Sequence, residues 1–443
     1  MTIFRAYDIR GVFGEDLTTK IAENIGKAFG TYLNGDMVLG MDNRLSSEDL
    51  KKSLIRGLVS TGTNVIDIGM VPTPVLYFGI EYFKKDGGIM LTASHNPPKY
   101  NGFKINQGNL PLTSEEIQEL NNIIKTGKYR KGKGKVEKKE ILDIYKKYIT
   151  EKFKLQKKLK VMIDSANATC GPIAPPIFRE LGCEVVEIYC EPDGNFPNHP
   201  PDPTVEENLT EIKNRIIKEG ADLGIAYDGD GDRVVFIDEK GNDLKGDCSV
   251  ILLTRDLLKD NRGEKILFEV KASRILIKDI KDAGGEPLMW KVGHSFIQRK
   301  LSEDNIIFGG ETSGHFFFAE NFGFDDGIFA SAKIAQMLSR TDKTLSEITS
   351  TIPTYPMIDM RVFCPDDRKF EIVDKIKEDF SSKYDVITID GVRVELEDGW
   401  GLVRASNTEP ALVIRYEAKT EEKLEEIKDI FNIKLKEFGV EVE

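Results

Sequence analysis

A strand–helix–strand pattern recurs three times along the chain and limits the folds that it can adopt. The first copy predicts a strand over residues 37–41, a helix over 46–58 and a strand over 64–70. Similar copies occupy residues 160–219 and 249–301, and Gly182 and Gly220 mark helix ends in the second. Strands that alternate with helices build parallel or mixed sheets. The sequence therefore predicts three similar α/β domains.

The pattern changes to closely spaced strands near residues 351–356. Strands are predicted over residues 357–363, 386–389, 392–396 and 411–416, followed by one terminal helix that Gly439 ends. We therefore expect a smaller α+β domain at the C-terminus, with domains at residues 1–150, 151–246, 247–354 and 355–443. The lysine-rich and glycine-rich residues 126–139 predict a solvated linker or an exposed hairpin.

Charge and composition exclude several classes of function. The 443 residues include 62 basic and 74 acidic side chains, for a net charge of −12, which argues against a nucleic-acid or anionic-membrane surface. No apolar run approaches the length of a membrane span, and the N-terminus lacks the features of a signal peptide. The five cysteines show neither a metal-ligand spacing nor a disulfide framework. We expect a cytoplasmic protein whose anionic ligands are bound by a local cluster of cations.

The stretch Gly88-Ile-Met-Leu-Thr-Ala-Ser-His-Asn-Pro97 predicts a buried strand that ends in a rigid turn at Ser94. His95 beside this serine and Lys104 ten residues later provide a possible proton partner and a cation. A serine hydroxyl in such surroundings can carry a phosphoryl group. An ordinary surface turn explains this segment about as well when it is considered alone.

The stretch Asp228-Gly-Asp-Gly-Asp-Arg233 predicts a metal site. Its three carboxylates alternate with glycines, so one loop can fold their oxygens around a hard divalent cation. An EF-hand calcium loop is the nearest alternative, because Glu239 is the twelfth residue from Asp228. Arg233 occupies the position where that loop needs glycine, and the flanking residues predict strands rather than helices. Magnesium suits the site, and a phosphate on Ser94 would supply a further oxygen ligand.

Two further loops carry polar side chains suited to a sugar phosphate. Gly309-Gly-Glu-Thr-Ser-Gly-His315 offers a carboxylate, hydroxyls and an imidazole, which suit hydrogen bonds to vicinal sugar hydroxyls. Arg404-Ala-Ser-Asn-Thr-Glu-Pro410 offers a guanidinium, hydroxyls and backbone N–H groups, which suit a phosphate. Each loop alone is weak evidence. Three of the four histidines, His95, His294 and His315, lie in or beside the predicted loops.

Together and in this order, the four motifs resemble those of the α-D-phosphohexomutases, in particular the phosphomannomutase/phosphoglucomutase branch. The resemblance covers essentially the whole chain. It implies three similar domains and a smaller fourth domain around a central cleft. It also implies an intramolecular phosphotransferase, that is, an isomerase that acts on small-molecule hexose phosphates. The resemblance does not determine the oligomeric state.

The resemblance also implies a role for each matching residue. Ser94 would be the phosphoserine and a magnesium ligand together with Asp228, Asp230 and Asp232, and His95, Lys104, Arg10 and His315 would be candidates for proton transfer. The remaining implied substrate contacts are Glu311 and Ser313 for the sugar, Arg404, Ser406, Asn407 and Thr408 for the distal phosphate, and Tyr7, Arg233, Lys271, Gly293, His294 and Arg415.

The implied reaction interconverts hexose 1-phosphate and hexose 6-phosphate of mannose, glucose or both. A phosphoserine would give its group to one end of the sugar, and a hexose 1,6-bisphosphate would turn around before returning the other phosphate. Phosphoglucosamine mutase is the nearest alternative, and a non-catalytic sugar-phosphate sensor is an alternative of another class. A nucleotide-dependent kinase is disfavoured, because the sequence has no Gly-Lys-Ser/Thr phosphate loop and no kinase motif set.

Overall fold

The structure is a computed structural model that describes residues 3–4, 8–244, 246–406 and 410–441. Four β-sheets follow one another along the chain. Within the described residues, no helix is long and apolar enough to cross a membrane.

The first sheet has the order β1-β5-β4-β2-β3-β7, with β6 paired to β5. Its strands are β1 (Ile9–Val12), β2 (Met37–Met41), β3 (Val65–Met70), β4 (Gly87–Leu91), β5 (Tyr100–Gln107), β6 (Leu110–Pro111) and β7 (Val136–Lys138). The helices that accompany it are α1 (Thr19–Leu33), α2 (Ser47–Val59), α3 (Thr73–Phe83), α4 (Ser114–Thr126) and α5 (Leu142–Lys152). The predicted linker is thus partly a sheet-edge strand, because β7 pairs in parallel with β3.

The second and third sheets are smaller. The second has β8 (Lys160–Asp164), β9 (Glu184–Ile188), β10 (Leu223–Tyr227), β11 (Val234–Ile237) and β12 (Asp243–Leu244), with helices α6 (Ala174–Glu180) and α7 (Thr210–Glu219). The third has β13 (Lys265–Glu269), β14 (Glu286–Trp290), β15 (Phe308–Gly310) and β16 (Phe316–Phe318). Its helices are α8 (Gly246–Leu257), α9 (Arg274–Asp282), α10 (His294–Glu303), α11 (Gly327–Ser339) and α12 (Leu345–Thr349).

The three sheets share one strand order, which confirms three similar α/β domains with mixed sheets. In each, three parallel strands are followed by an antiparallel return strand, in the orders β5-β4-β2-β3, β11-β10-β8-β9 and β16-β15-β13-β14. The chain therefore reverses direction across the sheet between the first and third parallel strands. Ligands of open α/β sheets bind beside the carboxyl ends of strands at such a reversal. The Ser94, Asp228 and Glu311 loops all follow the third parallel strand of their sheets.

The fourth sheet is entirely antiparallel and confirms the smaller α+β domain. Its order is β17-β21-β20-β19-β18. The strands are β17 (Met357–Phe363), β18 (Asp385–Ile387), β19 (Val392–Leu396), β20 (Gly399–Ala405) and β21 (Ala411–Ala418), and the helices are α13 (Lys369–Ser381) and α14 (Glu421–Glu437). The predicted terminal helix is α14, whereas α13 and β20 were not predicted. The fourth loop, which follows Arg404, joins β20 to β21.

The first three domains pack through one continuous hydrophobic core, to which Tyr77, Tyr227 and Phe324 belong. The fourth domain has a core of its own and contacts the third through a small cluster of Val270, Trp400 and Leu402. The packing of these domains places the Ser94, Asp228, Glu311 and Arg404 loops around a common cleft.

Candidate active site

The cleft has a volume of about 1190 Å³ and receives side chains from all four domains. Twelve residues predicted from the sequence line it: Arg10, His95, Arg233, Lys271, Gly293, His294, Glu311, Ser313, His315, Arg404, Ser406 and Arg415. Ser94, Lys104 and the three aspartates of the metal loop are buried below its surface. Tyr7, Asn407 and Thr408 lie outside the described residues. The structure thus brings together every predicted site residue that it describes.

Ser94 is held in an unusual backbone conformation at the end of β4. Its φ is +50°, in the left-handed region that non-glycine residues rarely occupy. Its backbone N–H donates to Thr92 Oγ1 at 2.8 Å, and its hydroxyl donates to Asp228 Oδ2 at 2.6 Å. His95 Nδ1 lies 3.2 Å from the same hydroxyl. The serine oxygen therefore contacts both the predicted metal loop and an imidazole.

The metal loop joins the antiparallel strands β10 and β11, so it is not the helix-flanked loop of an EF-hand. Carboxylate oxygens of Asp228, Asp230 and Asp232 lie within 4.8 Å of one another. Asp230 Oδ1 and Asp232 Oδ1 are buried, and no hydrogen bond to either was found within the described part of the chain. Burial raises the pKa of Asp228 well above its ordinary value, and the charges of Asp232 and Asp230 raise it further. Clustered buried oxygens of this kind fit a hard divalent cation, which would stabilise their ionised forms.

Lys104 on β5 supplies one positive charge to this cluster. Its Nζ donates to Asp230 Oδ2 at 2.7 Å and also to Asp232 Oδ2. Burial alone would lower the pKa of Lys104, but Asp230 and Asp232 outweigh this effect and hold the pKa well above its ordinary value. The lysine is therefore a fixed cation between Asp230 and Asp232.

The histidines of the cleft are held neutral. Arg233 Nε donates to His315 Nε2 at 2.9 Å, so the proton of His315 is on Nδ1, 2.8 Å from Asp325 Oδ2. Burial lowers the pKa of His315 to about 3 and that of His294, which stacks on it, to about 4. The charge of Arg233, followed by burial, lowers the pKa of His95. A neutral imidazole can accept a proton at its unprotonated nitrogen, but in His315 that nitrogen already accepts from Arg233.

The third loop presents a buried carboxylate at the cleft. Glu311 Oε1 accepts from the backbone N–H of Gly293 at 2.8 Å. Burial, followed by repulsion from Glu269, raises the pKa of Glu311 to about 8. Glu269 Oε1 accepts from the backbone N–H of Thr312 at 2.9 Å and lies 3.4 Å from Lys271 Nζ. The end of β13 thereby supports the loop that carries Glu311.

Cations from the fourth domain line another part of the cleft. Arg404 Nε donates to Asp390 Oδ2 at 3.1 Å, and Arg415 Nη2 lies 3.3 Å from Asp247 Oδ2. Each carboxylate holds its guanidinium at the wall of the cleft. Since guanidinium groups bind phosphate well, this part of the cleft is suited to an anion.

Comparison with known proteins accounts for the order of these domains. Sequence models described as phosphoglucomutase/phosphomannomutase alpha/beta/alpha domains I, II and III match residues 1–131, 143–241 and 245–355, and the model of the C-terminal domain matches residues 360–433. The chain belongs to the phosphoglucomutase/phosphomannomutase family. It is thereby a hexose-phosphate mutase, an isomerase that transfers phosphate intramolecularly.

Family members resemble the chain over nearly its whole length. A phosphomannomutase/phosphoglucomutase of Pseudomonas aeruginosa is 45% identical over 98% of this chain and 96% of its own. A phosphoglucomutase of Neisseria gonorrhoeae is 40% identical over 97% of this chain and 95% of its own. The crystal structure of a phosphoglucomutase/phosphomannomutase family protein of Burkholderia thailandensis superposes with a TM-score of 0.94 at 37% identity, covering 100% of this chain and 99% of that one.

Three charged residues of this family member are revealed only by the structure. Arg44 binds the Ser94 loop, Glu269 binds the Glu311 loop, and Asp325 contacts His315. Arg44 and Glu269 lie at or just after the end of the first parallel strand of their sheets, across the reversal point from the loop they support. The sequence signal that could have identified Arg44 and Glu269 as site residues is a charged residue at or just after the end of a buried strand.

Proposed function

We propose that this enzyme interconverts the 1-phosphates and 6-phosphates of glucose and mannose through a phosphoserine at Ser94 and a hexose 1,6-bisphosphate. The observation that carries the proposal is the position of the Ser94 hydroxyl, 2.6 Å from Asp228 of the metal loop and 3.2 Å from His95, which lines the cleft. A serine that only shaped a turn would not need to point into a cluster of buried carboxylates.

The reaction requires two transfers, because a phosphate on C6 is too far from C1 for direct attack. In the first transfer, the Oγ–P bond of phosphoserine breaks and its electron pair stays on Oγ, a bond forms between phosphorus and a sugar hydroxyl oxygen, and the hydroxyl proton passes to a base. The bisphosphate then turns around. In the second transfer, Ser94 Oγ takes the other phosphate, and the sugar oxygen that loses it receives a proton. The enzyme therefore ends in the phosphorylated state in which it began.

Asp228, Asp230, Asp232 and phosphorylated Ser94 would hold Mg²⁺. When bound, the ion neutralises negative charge that develops on the transferring phosphoryl group. His95, Lys104, Arg10 and His315 are the candidates for moving the protons. His95 is in direct contact with the serine oxygen, whereas Arg10 forms a 2.5 Å ion pair with Asp8 at the cleft surface.

The cleft offers separate contacts for the sugar and for its distal phosphate. Glu311 and Ser313 would bind sugar hydroxyls, with Gly293 and His294 beside them. Lys271, Arg404, Ser406 and Arg415 would bind the phosphate that is not being transferred, together with Asn407 and Thr408. Tyr7 and Arg233 complete the proposed substrate contacts.

Phosphoglucosamine mutase activity is the principal alternative. The sequence pattern typical of that branch has Asp-Asn-Gly-Ile-Lys after the serine motif and Ser-Gly-Thr-Glu-Pro in the phosphate loop. This chain has Tyr100-Asn-Gly-Phe-Lys104 and Ser406-Asn-Thr-Glu-Pro410 at those places. Both differences favour hexoses without an amino group.

We expect comparable kcat/KM for glucose 1-phosphate and mannose 1-phosphate, and a lower value for glucosamine 1-phosphate. Glucose and mannose differ only at C2, and contacts to O3 and O4 hold both sugars equally. Glu311→Gln should therefore lower kcat/KM for the two hexoses by the same factor. Steady-state kinetics with the three sugar phosphates test this prediction. A marked preference for glucosamine 1-phosphate would contradict the proposed substrate class, and unequal losses in the variant would place Glu311 at C2.

A second prediction concerns the pH dependence of kcat/KM, because burial and then the charge of Glu269 raise the pKa of Glu311. An ionised Glu311 accepts hydrogen bonds from sugar hydroxyls better than a protonated one, so kcat/KM should rise as pH increases through about 8. Glu269→Gln removes the neighbouring charge that raises this pKa, so the rise should move to lower pH. The shift of the midpoint is measured from the ratio of variant to wild-type kcat/KM between pH 6 and 9. Ionisation of the substrate phosphate affects both enzymes equally and cancels in this ratio. Thr312→Val, which alters the same loop without changing its charge, should leave the midpoint in place. An unmoved midpoint in Glu269→Gln would refute the coupling.

A further inference from the structure

The side chain of Arg44 is fully buried beneath the Ser94 loop. Its Nη2 donates to the carbonyl oxygens of Ser94 at 2.7 Å and Asn96 at 2.6 Å. Its Nη1 donates to the carbonyl oxygens of Pro97 at 2.7 Å and Tyr100 at 3.1 Å. One guanidinium thus binds four carbonyl groups across the loop that follows β4.

Asp42 fixes the guanidinium from its other side. Arg44 Nε donates to Asp42 Oδ2 at 3.0 Å, while Asp42 Oδ1 accepts from the Arg44 backbone N–H at 3.0 Å and from the Ser47 hydroxyl at 2.6 Å. The pair therefore has one orientation relative to the end of β2 and the start of α2. The Ser94 loop is fixed relative to the same elements.

The carbonyl oxygen of Ser94 is confined between two domains. Arg44 Nη2 donates to it from the first domain, and a Cβ atom added to Gly229 of the metal loop would lie only 2.4 Å from it. This close approach explains glycine at position 229. The hydrogen bond from Arg44 restrains the carbonyl of a residue whose φ is +50° and whose hydroxyl donates to Asp228. Left-handed backbone at a non-glycine residue is strained and persists only where the surrounding structure supports it.

We propose that Arg44 is a positioning residue that holds Ser94 in the geometry required for phosphoryl transfer. This inference rests on the proposed phosphoserine mechanism. Arg44 does not line the substrate cleft, so it acts on the carrier residue and not on the sugar. Its loss should lower kcat and the rate at which Ser94 gains phosphate, and KM should change little.

A second cavity adjoins Arg44, although the arginine side chain itself is fully buried. It has a volume of about 990 Å³, lies between the first two domains and shares no lining residue with the catalytic cleft within the described chain. Asp42, Asn43 and Arg44 line it from the first domain, opposite Pro172 and Cys190 of the second. A guanidinium ion entering by this route could occupy the space left by a truncated Arg44 side chain.

The test compares matched lysine variants of two buried arginines. Arg44→Lys keeps the charge beside Asp42, but an ammonium has three donors and cannot span the four carbonyls. Arg393 is also fully buried and donates to the carbonyls of Val270 and Ala272, both at 2.7 Å, in the contact between the third and fourth domains. We expect kcat of Arg44→Lys to fall about 100-fold, because small misplacement of a reacting group costs about that much, with KM within about twofold of wild type. Arg393→Lys should keep kcat within about threefold.

Arg44→Ala provides the second measurement. Guanidinium chloride at tens of millimolar, below denaturing concentrations, should restore at least a tenth of the lost kcat, and the same concentration of ammonium chloride should not. Ser94 phosphorylation by glucose 1,6-bisphosphate is followed in parallel by intact mass. If wild type carries no phosphate on Ser94, either as isolated or after incubation, the proposed mechanism itself fails. Three results would refute the positioning role when wild type is phosphorylated and the Arg44 variants are folded. These are a wild-type kcat in the variants, a raised KM without a fall in kcat, and no recovery of kcat with guanidinium.

Discussion

Ser94→Ala is expected to lower kcat on the order of 10⁴-fold or more, because the variant has no oxygen to carry the phosphoryl group between the two ends of the sugar. The fold should persist. Ser94 lies in a loop at the end of a buried strand, and among the residues that the structure describes its hydroxyl has hydrogen-bond partners in Asp228 and His95, both active-site groups. Removal of the hydroxyl leaves the four Arg44 contacts intact, since these involve backbone carbonyls. The loss should therefore appear in turnover and not in the melting temperature.

Ser165→Ala is the matched control. Ser165 is fully buried just after the first strand of the second sheet, and its hydroxyl has a sulfur neighbour, Cys190 Sγ, at 3.6 Å. This variant should keep near wild-type kcat. After incubation with glucose 1,6-bisphosphate, intact-mass measurement should show one added phosphate on wild type and on Ser165→Ala, and none on Ser94→Ala. Wild-type turnover by Ser94→Ala would exclude the phosphoserine mechanism, and a wild type that never gains phosphate would favour the sugar-phosphate sensor.

The loops of the active site could be predicted because each is a local feature of the sequence. In all four, a strand ends in a short polar motif and another strand follows, so the chemistry and the turn lie within a few residues of each other. The repeated strand–helix–strand pattern then gave three similar domains. Each of the three domains carries its motif after the same strand of its sheet. The expectation that Ser94, Asp228 and Glu311 lie near one cleft therefore followed from the repeat together with the family resemblance.

The residues that support those loops could not be predicted in the same way. Arg44 lies fifty residues before Ser94, and Glu269 lies 43 residues before Thr312. Their contacts depend on which strands are neighbours at the reversal point of the sheet, and strand order is not encoded in any short segment. Asp325 reaches His315 from the turn before α11, a helix that the sequence analysis did not identify.

Strand β20 illustrates a different reason for a missed element. Its sequence begins Gly399-Trp-Gly401, and glycine disfavours a strand on propensity alone. In the structure, a Cβ atom on Gly401 would lie 2.2 Å from the ring of Phe431 on α14. Glycine is therefore required here by helix packing, a tertiary contact that overrides the local preference.

Asp230→Asn is expected to weaken Mg²⁺ binding and to lower kcat about 100-fold to 1,000-fold, with a much smaller effect on stability. Asp230 is the central carboxylate of the metal loop, and its Oδ2 accepts from Thr73 Oγ1 at 2.6 Å and from Lys104 Nζ at 2.7 Å. Asparagine has nearly the same size and keeps one acceptor oxygen for these donors, but it removes the charge. A hard cation bound mainly by carboxylates loses much of its attraction when one of them becomes neutral.

Lys104 makes the effect of this substitution larger than the loss of one ligand. Its ammonium group is shared between Asp230 and Asp232, so with Asp230 neutral it interacts more strongly with Asp232 and competes with the metal for that carboxylate. Mg²⁺ titration by calorimetry, which does not depend on turnover, should show the weaker binding directly, and activity should recover only at higher Mg²⁺. Asp238→Asn is the control, because Asp238 is a buried carboxylate of the same domain in the turn after β11, remote from the cluster. If the Mg²⁺ titrations of Asp230→Asn and Asp238→Asn both coincide with that of wild type, the loop between β10 and β11 does not bind the metal.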